Sequence, residues 1–230
     1  MKITFYAHAS FRLEEDGLTV VTDPYTPAPG NSGFDRIEEP ADIVIMSSAT
    51  DDFHSDPSHV LGHPTVVNAL ELPPEGASVD GLAIRSFPAY ESLTFDYQSE
   101  FNRDPDANAL YLFEIGGIRV LHMGDIGNPV APAHLEKLAG QVDLLLALTG
   151  EHATIALDDL DRAIDRIRPG AIVPMHYYSA KGVLDIEPVD RFLDRFPADR
   201  VRRVGSSSME LTRDMLNSDA PTIFVLEQSR

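Results

Sequence analysis

The 230-residue sequence predicts an α/β protein in which two β-sheets pack on each other with helices outside. Three observations carry that expectation. Strand-like stretches come first, and strands alternating with helices follow, an order that suits two packed sheets. A hydrophobic content of 43% suffices for one sizeable core, so residues 1–230 are expected to form a single domain. Polar residues recur where apolar runs end, at Asp23, Asp125 and His176, and converging strand ends are where such folds keep their chemistry.

Each element has a local reason. "KITFYAHASFRLEEDGLTVVTDP" reads as successive short strands, with alternation in "SFRLE" and a hairpin turn at Asp16-Gly17. "TPAPGNSG" is a loop. "ADIVIMS" is apolar throughout, as a strand covered on both faces must be. "PTVVNA" and "GLAIRSF" are two further strands. Residues 91–108 are polar and irregular and are expected to form a flap. "NALYLFEIGGIRVLHMGD" is a hairpin turning at Gly116-Gly117. "APAHLEKLAG" is a helix with Pro132 near its start. "VDLLLALTG" is a buried strand. "LDDLDRAIDRIRPG" is an amphipathic helix stopped by Pro169-Gly170. "AIVPMH" is a strand, "EPVDRFLDRFP" a helix, and "VRRVG" and "TIFVLEQ" are closing strands. "SDPSHVL" suggests one more helix, capped by Asp52, Ser55 or Asp56.

Composition narrows the function. A net charge of -19, from 18 basic and 37 acidic residues, repels phosphate backbones and anionic membranes. Nucleic acid and membrane are therefore not expected as partners, and a small-molecule substrate is. Cysteine is absent, so any metal must be held by His, Asp, Glu or hydroxyl oxygens. The opening residues lack a basic segment followed by an apolar stretch, and no apolar run would span a membrane, so a cytoplasmic protein is expected. No signal favours a particular oligomeric state.

Two strand ends carry metal-type chemistry. "VLHMGDIGN" delivers His122 and then Asp125, with Gly124 letting a ligand or backbone approach closely. "IVPMHYYS" ends in His176, and imidazole beside carboxylate suits zinc, iron or manganese. Each residue also has a plain structural reading: Asp125 can cap a turn, His176 can hydrogen-bond Asp125 without metal, and His59, His63 and His134 read as solvated surface residues.

These stretches, with "ITFYAHASFRLEEDGLTVVTDP" and "ADIVIMSS", resemble the metallo-β-lactamase superfamily, in its branch of lactonase-like and uncharacterised metal-dependent hydrolases. The resemblance covers roughly residues 1–180 in the family's order. It implies an αββα sandwich of two mixed β-sheets, with a metal site along one edge. It also implies metals that acidify water and polarise a carbonyl or phosphoryl group.

The resemblance weakens at the family's His-x-His-x-Asp-His motif. Laid on without a gap, the motif falls on Ser48, Thr50, Asp52 and Phe53, so only the aspartate is kept. A one-residue bulge would let both Asp52 and His54 point inward. Glu91, within "FPAYES", is the candidate for the next ligand. Asp125 and His176 are kept, Asn128 replaces a common histidine, and "TGEHATIALDD" introduces Glu151 and His152 near the same edge. His8 and Asp23 match family signatures and are read as supporting or turn residues.

The expected metal set is Asp52, His54, Glu91, Asp125 and His176, holding one divalent Zn, Mn or Fe. Asp52 and His152 are the catalytic candidates, His152 as a fourth ligand or proton donor. The expected activity is hydrolysis of a small ester, lactone or phosphoester. The alternative is a metal-free, inactive descendant whose cleft binds a small molecule or protein. A nuclease is disfavoured by the charge balance.

Overall fold

A computed structural model describes residues 1–29, 32–51, 53–91 and 107–230. The opening alternation forms β1 (Lys2–Ala7), β2 (Ser10–Glu15) and β3 (Leu18–Thr22), antiparallel in succession. Asp16 and Gly17 join β2 to β3 with φ of +50° and +84°. Positive φ at both positions is what a primed hairpin turn requires, and glycine adopts it without steric penalty. β4 (Ile43–Met46) and β5 (Thr65–Asn68) then add in parallel. All four β4 residues are buried, which is why that segment is apolar at every position.

The second sheet starts with the antiparallel run β6 (Ala77–Val79), β7 (Leu82–Tyr90), β8 (Ala107–Ile115) and β9 (Ile118–His122). It continues in parallel through β10 (Leu144–Leu148), β11 (Ala171–Met175), β14 (Thr222–Val225) and β12 (Val201–Arg203). Parallel neighbours need crossover connections. Two of these carry α1 (Pro132–Leu138) and α2 (Leu157–Ile167). A third helix, α3 (Asp190–Leu193), precedes β12. β13 (Ser208–Glu210) crosses back to pair with β1 and completes a six-stranded sheet beside the eight-stranded one.

Phe5, Phe11, Val20, Ile43 and Ile45 join one core with Leu110, Leu121 and Leu146 of the other sheet. Their neighbours Tyr6, Val21, Val44 and Met46 face the opposite way, as period-two alternation dictates. That outer face is packed by Tyr25, Phe34, Ile37 and Val60, from loops rather than from helices. The expected flanking by helices therefore holds for this face only in part.

The loop is pinned by His59, which is buried rather than solvated: the Ile37 N–H donates to His59 Nδ1 at 2.7 Å, so Nε2–H donates to the Tyr25 carbonyl, also at 2.7 Å. "SDPSHVL" makes only a 3₁₀ turn over Pro57–His59, capped by Asp56, because the proline fixes its start and Val60 is already extended. The expected flap falls largely on residues 92–106, outside the described residues. No helix among the described residues is long and apolar enough to cross a membrane.

Candidate metal centre

The site gathers where strands end. His8 sits in the β1–β2 turn, the loop from Ser47 to His54 leaves β4, Gly124-Asp125 follows β9 and His176 follows β11. His8, Asp23 and His176 all take positive φ, +54°, +34° and +50°, a region costly for residues other than glycine and concentrated at functional sites.

Three donor groups face one another. His54 Nε2 lies 3.0 Å from His176 Nε2 and 3.2 Å from Asp125 Oδ2, and His176 Nε2 lies 3.6 Å from Asp125 Oδ1. Ligand atoms about 2.0–2.1 Å from a tetrahedral zinc stand about 3.3 Å from one another. The three separations bracket that value, so this donor set fits a divalent cation. Two overlapping groups extend it: ring nitrogens of His8, His54 and His176 lie within 4.8 Å of one another, and so do ligand atoms of Asp51, His54 and Asp125. His54 is common to both. Two carboxylates among neutral imidazoles also balance the charge of a divalent ion.

A second layer fixes these positions. The Gly124 N–H donates to His122 Nδ1 at 2.9 Å, so the proton of this imidazole is on Nε2, which donates to the Ala9 carbonyl at 2.8 Å. One neutral ring thus ties the turn holding His8 to the turn holding Asp125. Asn108 Oδ1 accepts the Asp125 N–H at 3.0 Å, and Asn108 Nδ2 donates to Glu91 Oε1 at 3.3 Å. A Cβ on Gly124 would stand 2.4 Å from both Ala109 O and Asn108 Oδ1, so only glycine fits this close approach. Asp23 Oδ1 accepts the Ser47 N–H at 2.6 Å and anchors the loop leading to His54.

Burial disfavours charge on most of these groups. It pushes His176 down to about 4 and His122 down to about 3, and it raises Asp23 to about 8. His8 is pushed well below its usual value by burial and by the neighbouring imidazoles. His54 is the exception: burial lowers it, but the Asp51 and Asp125 carboxylates outweigh burial and raise it to about 10. Without metal, a proton on His54 is the cation this pocket holds.

The structure brings His54, Asp125 and His176 together. Asp52 lies outside the described residues; its neighbour Asp51 supplies the carboxylate beside His54, while its Oδ1 accepts the Phe53 N–H at 2.7 Å. Glu91 is buried two hydrogen bonds behind Asp125, through Asn108, and belongs to neither donor group. His152 belongs to neither, and its side chain is 61% exposed beside Glu187. Glu151 accepts the Leu157 N–H at the start of α2. Ser48 Oγ and Thr50 Oγ1, under the family's two histidines, hydrogen-bond each other at 3.1 Å. Sequence reasoning did not place His8 and Asp51 among the donors. The sequence alone favours Asp52 of the adjacent pair Asp51-Asp52, and that position lies outside the described residues.

Two mixed sheets with buried histidines and aspartates at their strand ends define a metallo-β-lactamase-type fold. Residues 2–176 match the family model described as a beta-lactamase superfamily domain, and the chain belongs to that family. It is 30% identical over 189 residues to a UPF0173 protein of Pyrococcus abyssi, covering 77% of this chain and 83% of that one. It is 26% identical over 195 residues to a UPF0173 metal-dependent hydrolase of Carboxydothermus hydrogenoformans, covering 77% and 84%. The crystal structure of a proposed Zn-dependent hydrolase of the metallo-beta-lactamase superfamily from Thermotoga maritima superposes with a TM-score of 0.72 at 29% identity, covering 98% of this chain and 99% of that one.

Proposed function

We propose that the protein is a metal-dependent hydrolase in which His54, His176 and Asp125, with Asp51 beside them, hold one divalent cation of zinc, manganese or iron. The observation that carries this reading is the pair of buried imidazole nitrogens, His54 Nε2 and His176 Nε2, 3.0 Å apart and facing the two carboxylate oxygens of Asp125 at 3.2 Å (Oδ2) and 3.6 Å (Oδ1). The relatives described as metal-dependent hydrolases support it. A divalent cation at such a site acidifies water and polarises a carbonyl or phosphoryl oxygen. The chain's own residues do the rest. The imidazoles are fully buried and hold position, whereas the Asp125 side chain keeps 13% exposure and is placed to take a proton from attacking water. His122, Asn108 and Asp23 keep the ligand-bearing turns from shifting.

The substrate we propose is a small ester, lactone or phosphoester, since the acidic surface opposes polyanions. The test is metal analysis of protein purified without chelator, followed by assays on nitrophenyl esters, nitrophenyl phosphodiesters and γ-lactones before and after EDTA. Bound transition metal and an EDTA-sensitive, metal-restored activity are expected. Absence of metal, with any activity insensitive to EDTA, overturns this reading in favour of a metal-free binding cleft. The Ser48–Thr50 hydrogen bond, which satisfies the two hydroxyls without an ion, is the feature that cleft reading explains best.

A further inference from the structure

We infer that His8 is itself a metal ligand, so that three imidazoles rather than two serve the cation; this rests on the metal-centre reading above. The family motif, laid on this chain, loses imidazoles at Ser48 and Thr50, and those hydroxyls are occupied with each other. His8 brings an imidazole to the same place from the other end of the sequence. Its ring centroid lies 5.0 Å from that of His54 and 4.8 Å from that of His176, while those two are 4.9 Å apart, an almost equilateral arrangement. One ring nitrogen from each lies within 4.8 Å of the other two.

His8 is 5% exposed, and its buried Nδ1 has no hydrogen-bond partner among the described residues. A buried polar atom left so is costly, and buried donors and acceptors in native proteins are nearly always engaged. The backbone has also been set to deliver this side chain. His8 holds φ at +54° in a turn of two residues, a conformation that persists only where its surroundings enforce it. Two hydrogen bonds do so: the His176 N–H donates to the His8 carbonyl at 2.8 Å, and His122 Nε2–H donates to the Ala9 carbonyl. The first ties the backbone of one ligand directly to the backbone of the other. Phe34 packs edge-on to the His8 ring at 5.1 Å and closes the apolar side.

A buried histidine that merely packs against Phe34 would share much of this description, so the test counts ligands. The full chain is loaded with Co²⁺, and the paramagnetically shifted, exchangeable imidazole N–H resonances are counted by proton NMR. Each ligating histidine contributes one. Three are expected for the wild type and two for His8→Asn, since asparagine tolerates positive φ and preserves the turn. Calorimetric Co²⁺ affinity of His8→Asn is expected to fall at least about tenfold, the lower end of what even an outer-shell partner contributes. Two shifted resonances in the wild type overturn the inference and leave the metal centre standing. No Co²⁺ binding at all overturns both. The wild-type count decides even if His8→Asn does not fold.

Discussion

His54 Nε2 and His176 Nε2 face each other at 3.0 Å across 122 residues of sequence. At that distance one neutral imidazole can donate its Nε2–H to the Nε2 lone pair of the other, whereas a cation between them would engage a lone pair on each ring. Asp125 stands on the open side of the pair, at 3.2 and 3.6 Å. The arrangement therefore selects for positive charge at a point where the surrounding burial opposes it, and a carboxylate supplies the compensation.

Asp125→Asn tests that compensation. The substitution keeps size and the Asp125 N–H bond to Asn108, and it removes one negative charge from the site. Zinc affinity measured by calorimetry is expected to fall by more than the roughly 10–100-fold that loss of an outer-shell partner costs, with little change in the far-ultraviolet circular dichroism. Unchanged affinity would exclude Asp125 as a ligand.

The metal-free protein should have a stability maximum near pH 6.5. His54 is raised above its unfolded value to about 10, so the stability it contributes is complete below about pH 6.5 and is lost as pH rises towards 10. Asp23, raised to about 8 by burial, works in the same direction: the folded protein favours its neutral carboxyl, and that advantage is lost through pH 8. His176 and His122, lowered to about 4 and about 3, contribute stability above pH 6.5 that is lost as pH falls through those values. Urea midpoints of EDTA-treated protein at pH 5, 6.5, 8 and 9.5 should fall on both sides. Zinc must displace the His54 proton, so its binding near pH 8 should release about one proton, measured by calorimetry in buffers of different ionisation enthalpy. A midpoint that rises steadily to pH 9.5 would contradict the assignment.

The contrast between β4 and the loop after it shows what the sequence made legible. Ile43–Met46 is apolar at four consecutive positions because both of its faces are covered, and that pattern needs no tertiary information. The Gly116-Gly117 hairpin and the α2 stripe are local in the same way. The loop is not. Asp51 meets His54 while its own carboxylate accepts the Phe53 N–H in an Asx turn, a backbone choice that pattern does not encode. His8 was readable as a family signature, yet its place among the donors depends on β1 and β11 ending side by side, a contact between segments 168 residues apart in the chain. β6 and β13, three residues each, escape because their pairing partners define them rather than their own composition.

His152→Ala separates the introduced histidine from the centre. The side chain is 61% exposed, and its contact with Glu187 at 3.3 Å is of the surface type that contributes little. Zinc affinity and stoichiometry are expected to match the wild type within about twofold, since 1.4 kcal/mol is needed for a tenfold change and exposed pairs rarely reach 1 kcal/mol. A tenfold or larger loss would restore His152 as a ligand through a rearrangement of its loop.

His122→Phe asks whether the tie between the two ligand-bearing turns matters. His122 is fully buried and stacked on Tyr111 at 4.7 Å with an interplanar angle of 8°, so phenylalanine preserves the ring contact while removing both hydrogen bonds. The Gly124 N–H is then left unpaired in the interior, while the Ala9 carbonyl keeps the Thr22 hydroxyl as a donor at 3.2 Å. At about 1–3 kcal/mol for a buried group left unsatisfied, the expected destabilisation is ~1–3 kcal/mol by urea unfolding of the metal-free protein. His122→Gln, which can accept through Oε1 and donate through Nε2, should recover part of that loss. Because Ala9 adjoins His8 and Gly124 adjoins Asp125, zinc affinity of folded His122→Phe should fall as well, and glutamine should restore it in proportion. If His122→Phe keeps both stability and affinity, the ring fills space and the two turns are held by their other contacts.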